Sequence, residues 1–352
     1  MKKRILALVL CLGIALSLFG CAGNIAQSST VPATPPTEAA VSAAAFPVTV
    51  TDAAGREVTI AQAPEKLVSG YYITTSMLIA LGLQDKLVGV EAKADSRPIY
   101  SLAAPEILEL PSVGTAKEFD LEGCAALSPD LVVLPIKLQD TVPALEALGI
   151  PVLLANPESL EQLKETVRML GTATGANDRA AALLDYYDQS AQELASLLEG
   201  AEAPSVYLAG NSSYLSTAGG KMYQDTLIQL GGGRNMAGTL EDLYWVEVSY
   251  EQILAWDPQV ILIAAEADYS REDFLNDPQL ASLTAVQSGA VYAMPSAVEA
   301  WDSPIPGAML GSRWIAAMLH EDVYSFEAFC ADAAAFYKEF YGFQLDTSLL
   351  NG

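Results

Sequence analysis

The stretch Leu121-Glu122-Gly123-Cys124-Ala125-Ala126-Leu127-Ser128-Pro129-Asp130-Leu131-Val132-Val133-Leu134 aligns without a gap on Tyr250-Glu251-Gln252-Ile253-Leu254-Ala255-Trp256-Asp257-Pro258-Gln259-Val260-Ile261-Leu262-Ile263. Each copy reads as a short helix that opens with a glutamate, stops before a proline and feeds a fully apolar strand. Glu122 and Glu251 lie about one domain length apart. The pattern predicts two similar lobes, each with one acid at the start of an equivalent helix, and a ligand cleft between them.

Working outward, short apolar strands alternate with helical patterns on both sides of each copy. Strands are expected at 67–69, 87–90, 131–134 and 152–154, and again at 206–209, 260–263 and 291–294. Helices are expected at 75–81, 121–127, 140–148 and 160–170, then at 222–230, 250–256, 305–319 and 326–340. Such alternation means parallel sheets covered on both faces. Val48 to Ile60, turning around Asp52-Ala53-Ala54-Gly55, reads as a hairpin. Between the two series runs Asn177 to Leu198, free of Pro and Gly, with apolar residues at helical spacing. Asn177 or Asp178 is the expected cap at its start and Gly200 its stop. The fold class is therefore α/β, with two Rossmann-like α/β lobes joined by a single long helix. Its expected divisions are a leader over 1–20, a flexible tether over 21–45, an N-terminal lobe over 46–176, the connecting helix over 177–200 and a C-terminal lobe over 201–352.

The N-terminus carries a basic Lys2-Lys3-Arg4, an apolar run from Ile5 to Phe19, and Leu18-Phe19-Gly20-Cys21. This is the layout of an export signal, and it resembles the lipobox of bacterial lipoproteins, in which Cys21 would be lipidated. Ala22 to Ala45 is rich in Ala, Ser, Thr and Pro, with only Glu38 charged, and reads as a tether. The formal net charge is −25. So acidic a surface repels phosphate backbones and argues against nucleic-acid binding. Of the four cysteines, Cys124 and Cys330 fall in the folded part. They are either disulfide partners or two thiols, and their spacing gives no metal motif. The single histidine, His320, argues against a bare transition-metal site and sits at the expected end of a helix.

The order of landmarks over Val48 to Tyr341 resembles the iron-chelate and cobalamin substrate-binding proteins of ABC importers. The likeness rests on Val48-Thr49-Val50-Thr51-Asp52-Ala53-Ala54-Gly55-Arg56-Glu57-Val58, on the two glutamate helices with their strands, on Ser216 to Lys221 with Leu230-Gly231-Gly232-Gly233-Arg234-Asn235, and on Trp245 before Val248-Ser249-Tyr250-Glu251. The resemblance implies a lipid-anchored extracytoplasmic monomer that delivers a metal chelate to an ABC permease dimer with its ATPase subunits, with no resident cofactor. It further implies that Glu122 and Glu251 dock on the permease. Asp120 and Ser249 are good N-caps that would set both glutamates in a first helical turn. The helix dipole alone also favours an acid there.

Ligands of parallel α/β sheets sit beyond the carboxyl ends of the strands. The residues following the strands are Gly70-Tyr71-Tyr72, then Glu91, Lys93 and Arg97, then Ile136 and Lys137. In the second series they are Asn211 and Tyr214, Glu266 and Tyr269, then Glu299, Trp301 and Asp302, with Tyr244 and Trp245 ahead of the second glutamate helix. Tyr71, Tyr72, Arg97, Lys137, Tyr214, Trp245, Trp301 and Asp302 are the expected ligand-binding set. Aromatic rings suit a bulky, partly apolar chelate, a corrin or a porphyrin, and the cations suit an anionic face. Ferric siderophore is the leading cargo, with cobalamin or haem as alternatives. An enzyme, such as a lipid-anchored hydrolase, is the competing class. It lacks a Gly-x-Ser-x-Gly elbow and a His-Glu-x-x-His motif here, although a carboxylate pair acting on glycosides needs neither. Gly231-Gly232-Gly233 fits no nucleotide motif and reads as a helix stop with a turn.

Overall fold

The computed structural model describes residues 46–241 and 245–350. The stretches expected as export signal and tether, Cys21 and Tyr244 lie outside them. The described part opens with a hairpin, β1 (Val48–Thr51) and β2 (Glu57–Ile60). The N-terminal lobe then runs through β3 (Leu67–Ser69), α1 (Tyr72–Ala80), β4 (Leu87–Gly89), α2 (Pro98–Ala103), α3 (Leu121–Ala126), β5 (Leu131–Pro135), α4 (Val142–Glu146), β6 (Val152–Ala155) and α5 (Leu160–Thr174). The long helix is α6 (Asn177–Leu197). The C-terminal lobe continues with β7 (Ser205–Ala209), β8 (Ser216–Thr217), α7 (Tyr223–Leu230), β9 (Arg234–Asn235), β10 (Val246–Glu247), α8 (Tyr250–Trp256) and β11 (Val260–Ile263). It ends with α9 (Arg271–Leu275), α10 (Thr284–Ser288), β12 (Val291–Ala293), α11 (Ala308–Leu319) and α12 (Phe326–Tyr341).

Two four-stranded parallel sheets form, in the orders β4-β3-β5-β6 and β9-β7-β11-β12. The orders correspond strand for strand, so the repeat extends beyond the two matched segments. Within those segments the match reaches the backbone. Ser128 and Asp257, equivalent in the alignment, are both left-handed, with φ of 51° and 39°. Asp130 and Gln259, also equivalent, both clamp the entry of the neighbouring strand of the sheet, β3 and β7. Asp130 Oδ2 accepts from the Glu65 and Lys66 N–H groups, and Gln259 Oε1 accepts from the Ser205 N–H. Cys124 and Ile253 fill the same buried position.

The helix between the lobes begins at Asn177, so its cap falls one residue before the expected Asn177 or Asp178. Ala176 is the N-cap residue and makes no side-chain cap bond, so Asn177 is already helical, and Gly200 follows the end at φ 79°. Helix α6 is tied into both lobes. It packs on α5, and from α11 the Arg313 guanidinium reaches Ser190 and Glu193 of α6 and, at 2.7 Å, Asp332 of α12. Tyr187 donates to the Pro306 carbonyl at 3.0 Å. Helix α12 crosses back to touch α1, and Arg179 donates to the Ala80 carbonyl at 2.9 Å while reaching Glu339. The main core accordingly runs without a break from one lobe into the other. Cys124 and Cys330 are both free thiols.

Candidate functional site

The first wall of the site grows out of the end of β3. Ser69, Thr74 and Thr75 link their hydroxyls there, and Thr74 donates to the Tyr71 carbonyl at 2.9 Å, which closes the first turn of α1. Behind them lies Glu91, 8% exposed, accepting from Thr75 at 2.6 Å and from Tyr100 at 2.7 Å. Burial pushes its carboxyl up, against the two hydroxyl donors. Tyr100 also meets the Tyr72 carbonyl at 3.1 Å. The network holds Tyr71 and Tyr72 edge to face, 5.4 Å between ring centroids. The Arg97 guanidinium stacks over Tyr72 at 4.2 Å, and among the described residues it makes no hydrogen bond or ion pair. Burial raises both phenols, so both stay protonated.

The facing wall comes from the ends of β11 and β12. Glu266, at φ 56°, follows β11, and Ser296, Val298, Glu299 and Ser303 follow β12. Glu299 is 6% exposed and accepts from Tyr337 at 3.1 Å and Tyr341 at 3.2 Å, both on α12. Burial pushes its carboxyl up to about 8, against those two donors. Asp302 accepts from the Ala265 N–H at 2.9 Å and is pushed up to about 7, chiefly by burial. Between the walls lies a narrow cleft, lined by Tyr72, Ser76, Arg97 and Ile99 on one side and by Glu266, Val298, Glu299 and Ile305 on the other. A wider groove between β2 and Pro129-Asp130 is at the strand-entry end, away from these residues.

Of the expected ligand set, Tyr72 and Arg97 line this cleft and Tyr71 flanks it. Trp301 does not: it is fully buried and donates from Nε1 to Tyr337 at 2.9 Å, so it anchors the wall from behind. Asp302 is likewise buried behind its neighbour Ser303. Tyr214 is drawn into a separate cluster with Tyr250, Tyr269 and Phe274, its hydroxyl held by Asp277 at 2.7 Å. Lys137 is exposed on the β5 side. Trp245 lies half-buried over Gly210, where a Cβ would come within 3.0 Å of its ring. Ser76, Ile99, Val298, Ser303 and Ile305 were not among the expected residues, because helix and loop faces rather than strand ends carry them.

Both glutamates are exposed, each behind its side-chain cap. Asp120 accepts from the Gly123 N–H at 2.9 Å and Ser249 from the Gln252 N–H at 3.2 Å. A backbone N–H at Glu251 and, after it, the Ser249 hydroxyl lower the Glu251 carboxyl from its ordinary value. Phe119 packs beside Gly70, at the end of β3, as Trp245 packs beside Gly210, at the end of β7. Each glutamate helix therefore begins on the rim where the strands of its own sheet end, the rim that also bears the cleft. Among the described residues no helix is long and apolar enough to cross a membrane, and no cluster of His, Cys, Asp and Glu is arranged to hold a metal.

Two parallel-sheet lobes joined by one long helix, with a cleft at their strand ends, define the class of bilobal solute-binding proteins. The chain belongs to the periplasmic binding protein family, which residues 67–298 match. It is 30% identical over 271 residues, 74% of this chain and 81% of the relative, to a Bacillus subtilis protein named as the uncharacterized ABC transporter substrate-binding lipoprotein YvrC. It is 28% identical over 206 residues, 58% of this chain and 71% of the relative, to a vitamin B12-binding protein of Yersinia pestis. Among solved structures, a periplasmic solute binding protein of Veillonella parvula superposes with a TM-score of 0.76 at 25% identity, covering 86% of this chain and 95% of that one. The family serves ABC importers as their substrate-binding component rather than as an enzyme.

Proposed function

We propose that this protein captures a metal chelate outside the cytoplasm, held to the membrane by lipid on Cys21, and hands it to an ABC permease dimer. The observation that carries the reading is the interlobe cleft, where Tyr72 and the unpartnered Arg97 guanidinium face the opposite lobe. An aromatic face with a fork of free N–H donors suits the oxygen-rich surface of a ferric siderophore. Cobalamin is the second reading, favoured by the vitamin B12-binding relative. Glu122 and Glu251, on the same rim, are the proposed contacts to the permease. The protein acts as a monomer, its two lobes rocking on α6.

The test is binding without turnover. Tryptophan fluorescence and thermal shift are read against a ferric triscatecholate, a ferric trihydroxamate, cyanocobalamin and haemin. One chelate is expected to quench the fluorescence, raise Tm through linkage and be recovered unchanged. Failure of all four sinks the reading. Cys21→Ala is expected to move the protein from the membrane fraction to the medium or periplasm; membrane retention by that variant removes the lipid from the account.

A further inference from the structure

The cleft is not simply an anion receptor. Arg97 stands on one wall, while the facing wall carries Glu266 and Glu299. Glu266 is exposed and makes no hydrogen bond or ion pair among the described residues, although its backbone is held at φ 56°, where a side chain with a Cβ is disfavoured. Glu299 is more than nine-tenths buried, and its two tyrosine donors leave acceptor capacity on the carboxyl group. Arg97 and Glu266 do not pair across the gap. The two opposite charges face one small volume from opposite lobes, walled elsewhere by Ile99, Val298 and Ile305. The whole chain adds a field of the same sign as Glu266, with its net charge of −25. Such a field draws cations in and holds highly charged anions off.

We infer that the cargo is amphoteric: a chelate whose oxygen-rich face meets Arg97 and Tyr72 while a protonated amine on the same molecule meets Glu266 at the mouth of the Glu299 wall. The inference rests on the metal-chelate reading and narrows it to amine-bearing chelates. A tris-anionic chelate would bring its charge against Glu266 and the acidic surface. An aminated hydroxamate chelate satisfies both walls at once.

The experiment compares a ferric trihydroxamate that bears a free primary amine with its N-acetylated form, which differs in that one charge. Binding is measured by fluorescence quenching on the intact chain and on Glu266→Gln. Wild type is expected to bind the amine form about tenfold more tightly, the worth of one partly desolvated charge contact. In Glu266→Gln the two forms should bind alike, at the affinity wild type shows for the acetylated one. Equal affinities in wild type, or a preference that survives in Glu266→Gln, overturn the inference. If both forms fail while another chelate of the panel binds, the amphoteric assignment alone is overturned. If no chelate binds at all, the metal-chelate reading falls and takes the inference with it.

Discussion

At the scale of single residues, Glu299 couples stability to pH. The folded chain keeps its proton up to a pH of about 8, whereas an unfolded glutamate releases it near 4.3, roughly. Between those values the folded state binds more protons, so stability is highest at the low end and is lost as pH rises through the window. Glu91 and Asp302 are raised by burial and pull in the same direction. Asp273, held low by the Ser270 N–H and hydroxyl, acts oppositely, and its contribution is lost only as pH falls below the ordinary carboxylate range. The chain should therefore melt higher at mildly acidic pH than at pH about 8. Glu299→Gln should flatten that slope and melt above wild type at the alkaline end, by about 2–4 °C per kcal/mol recovered. Calorimetry across the range checks it, and an unchanged slope would place the titration elsewhere. Arg97 behaves differently. Its guanidinium only stacks on Tyr72, so Arg97→Gln should cost no more than about 1 kcal/mol of stability. The same change should weaken chelate binding by about tenfold, read in the same fluorescence titration.

At the scale of elements, the two glutamate helices are short enough for their caps to matter. Each is fastened by a side chain ahead of its glutamate, Asp120 in one and Ser249 in the other. Asp120→Ala and Ser249→Ala should each cost about 1 kcal/mol, seen in denaturant titration, and near-equal costs would reflect the equivalence of the two copies. A cost in one copy alone would show that neighbouring packing, not the cap, fixes the other helix. This repeated unit was also the most legible part of the chain. Apolar runs such as Leu131–Leu134 and Val260–Ile263 have one outcome, a strand buried on both faces, and β11 has those bounds. The short helices α2, α9 and α10, and the paired dipeptides β8 and β10, carry too few residues for a period to show. Strand ends located the Tyr71-Tyr72 pair, Arg97, Glu266 and Glu299 in the sequence. They did not tell a wall from its backing, because Trp301 and Asp302 differ from Glu299 only in which way the loop after β12 turns. Tyr214 was lost to Asp277, a partner 63 residues away that no local pattern announces.

At the scale of the whole molecule, rigidity and charge placement act together. Arg313 bonds α6, α11 and α12 to one another, Arg179 and α12 reach back to the N-terminal lobe, and one core spans both halves. A frame so braced permits small rocking rather than wide closure. The spacing of points on its two rims then changes little between empty and loaded states, which suits a rigid two-point plug. Glu122 and Glu251 are exposed on those rims and separate from the residues lining the cleft. Reversing both, Glu122→Lys with Glu251→Lys, should leave the chelate Kd within about twofold of wild type, since both are exposed and neither lines the cleft. Transport into cells or proteoliposomes carrying the permease should fall to background. Each single reversal should give an intermediate loss, because one of the two proposed docking contacts survives. A weakened Kd would put the glutamates in the binding site instead, and undiminished transport in the double variant would show that the permease grips another part of the rim.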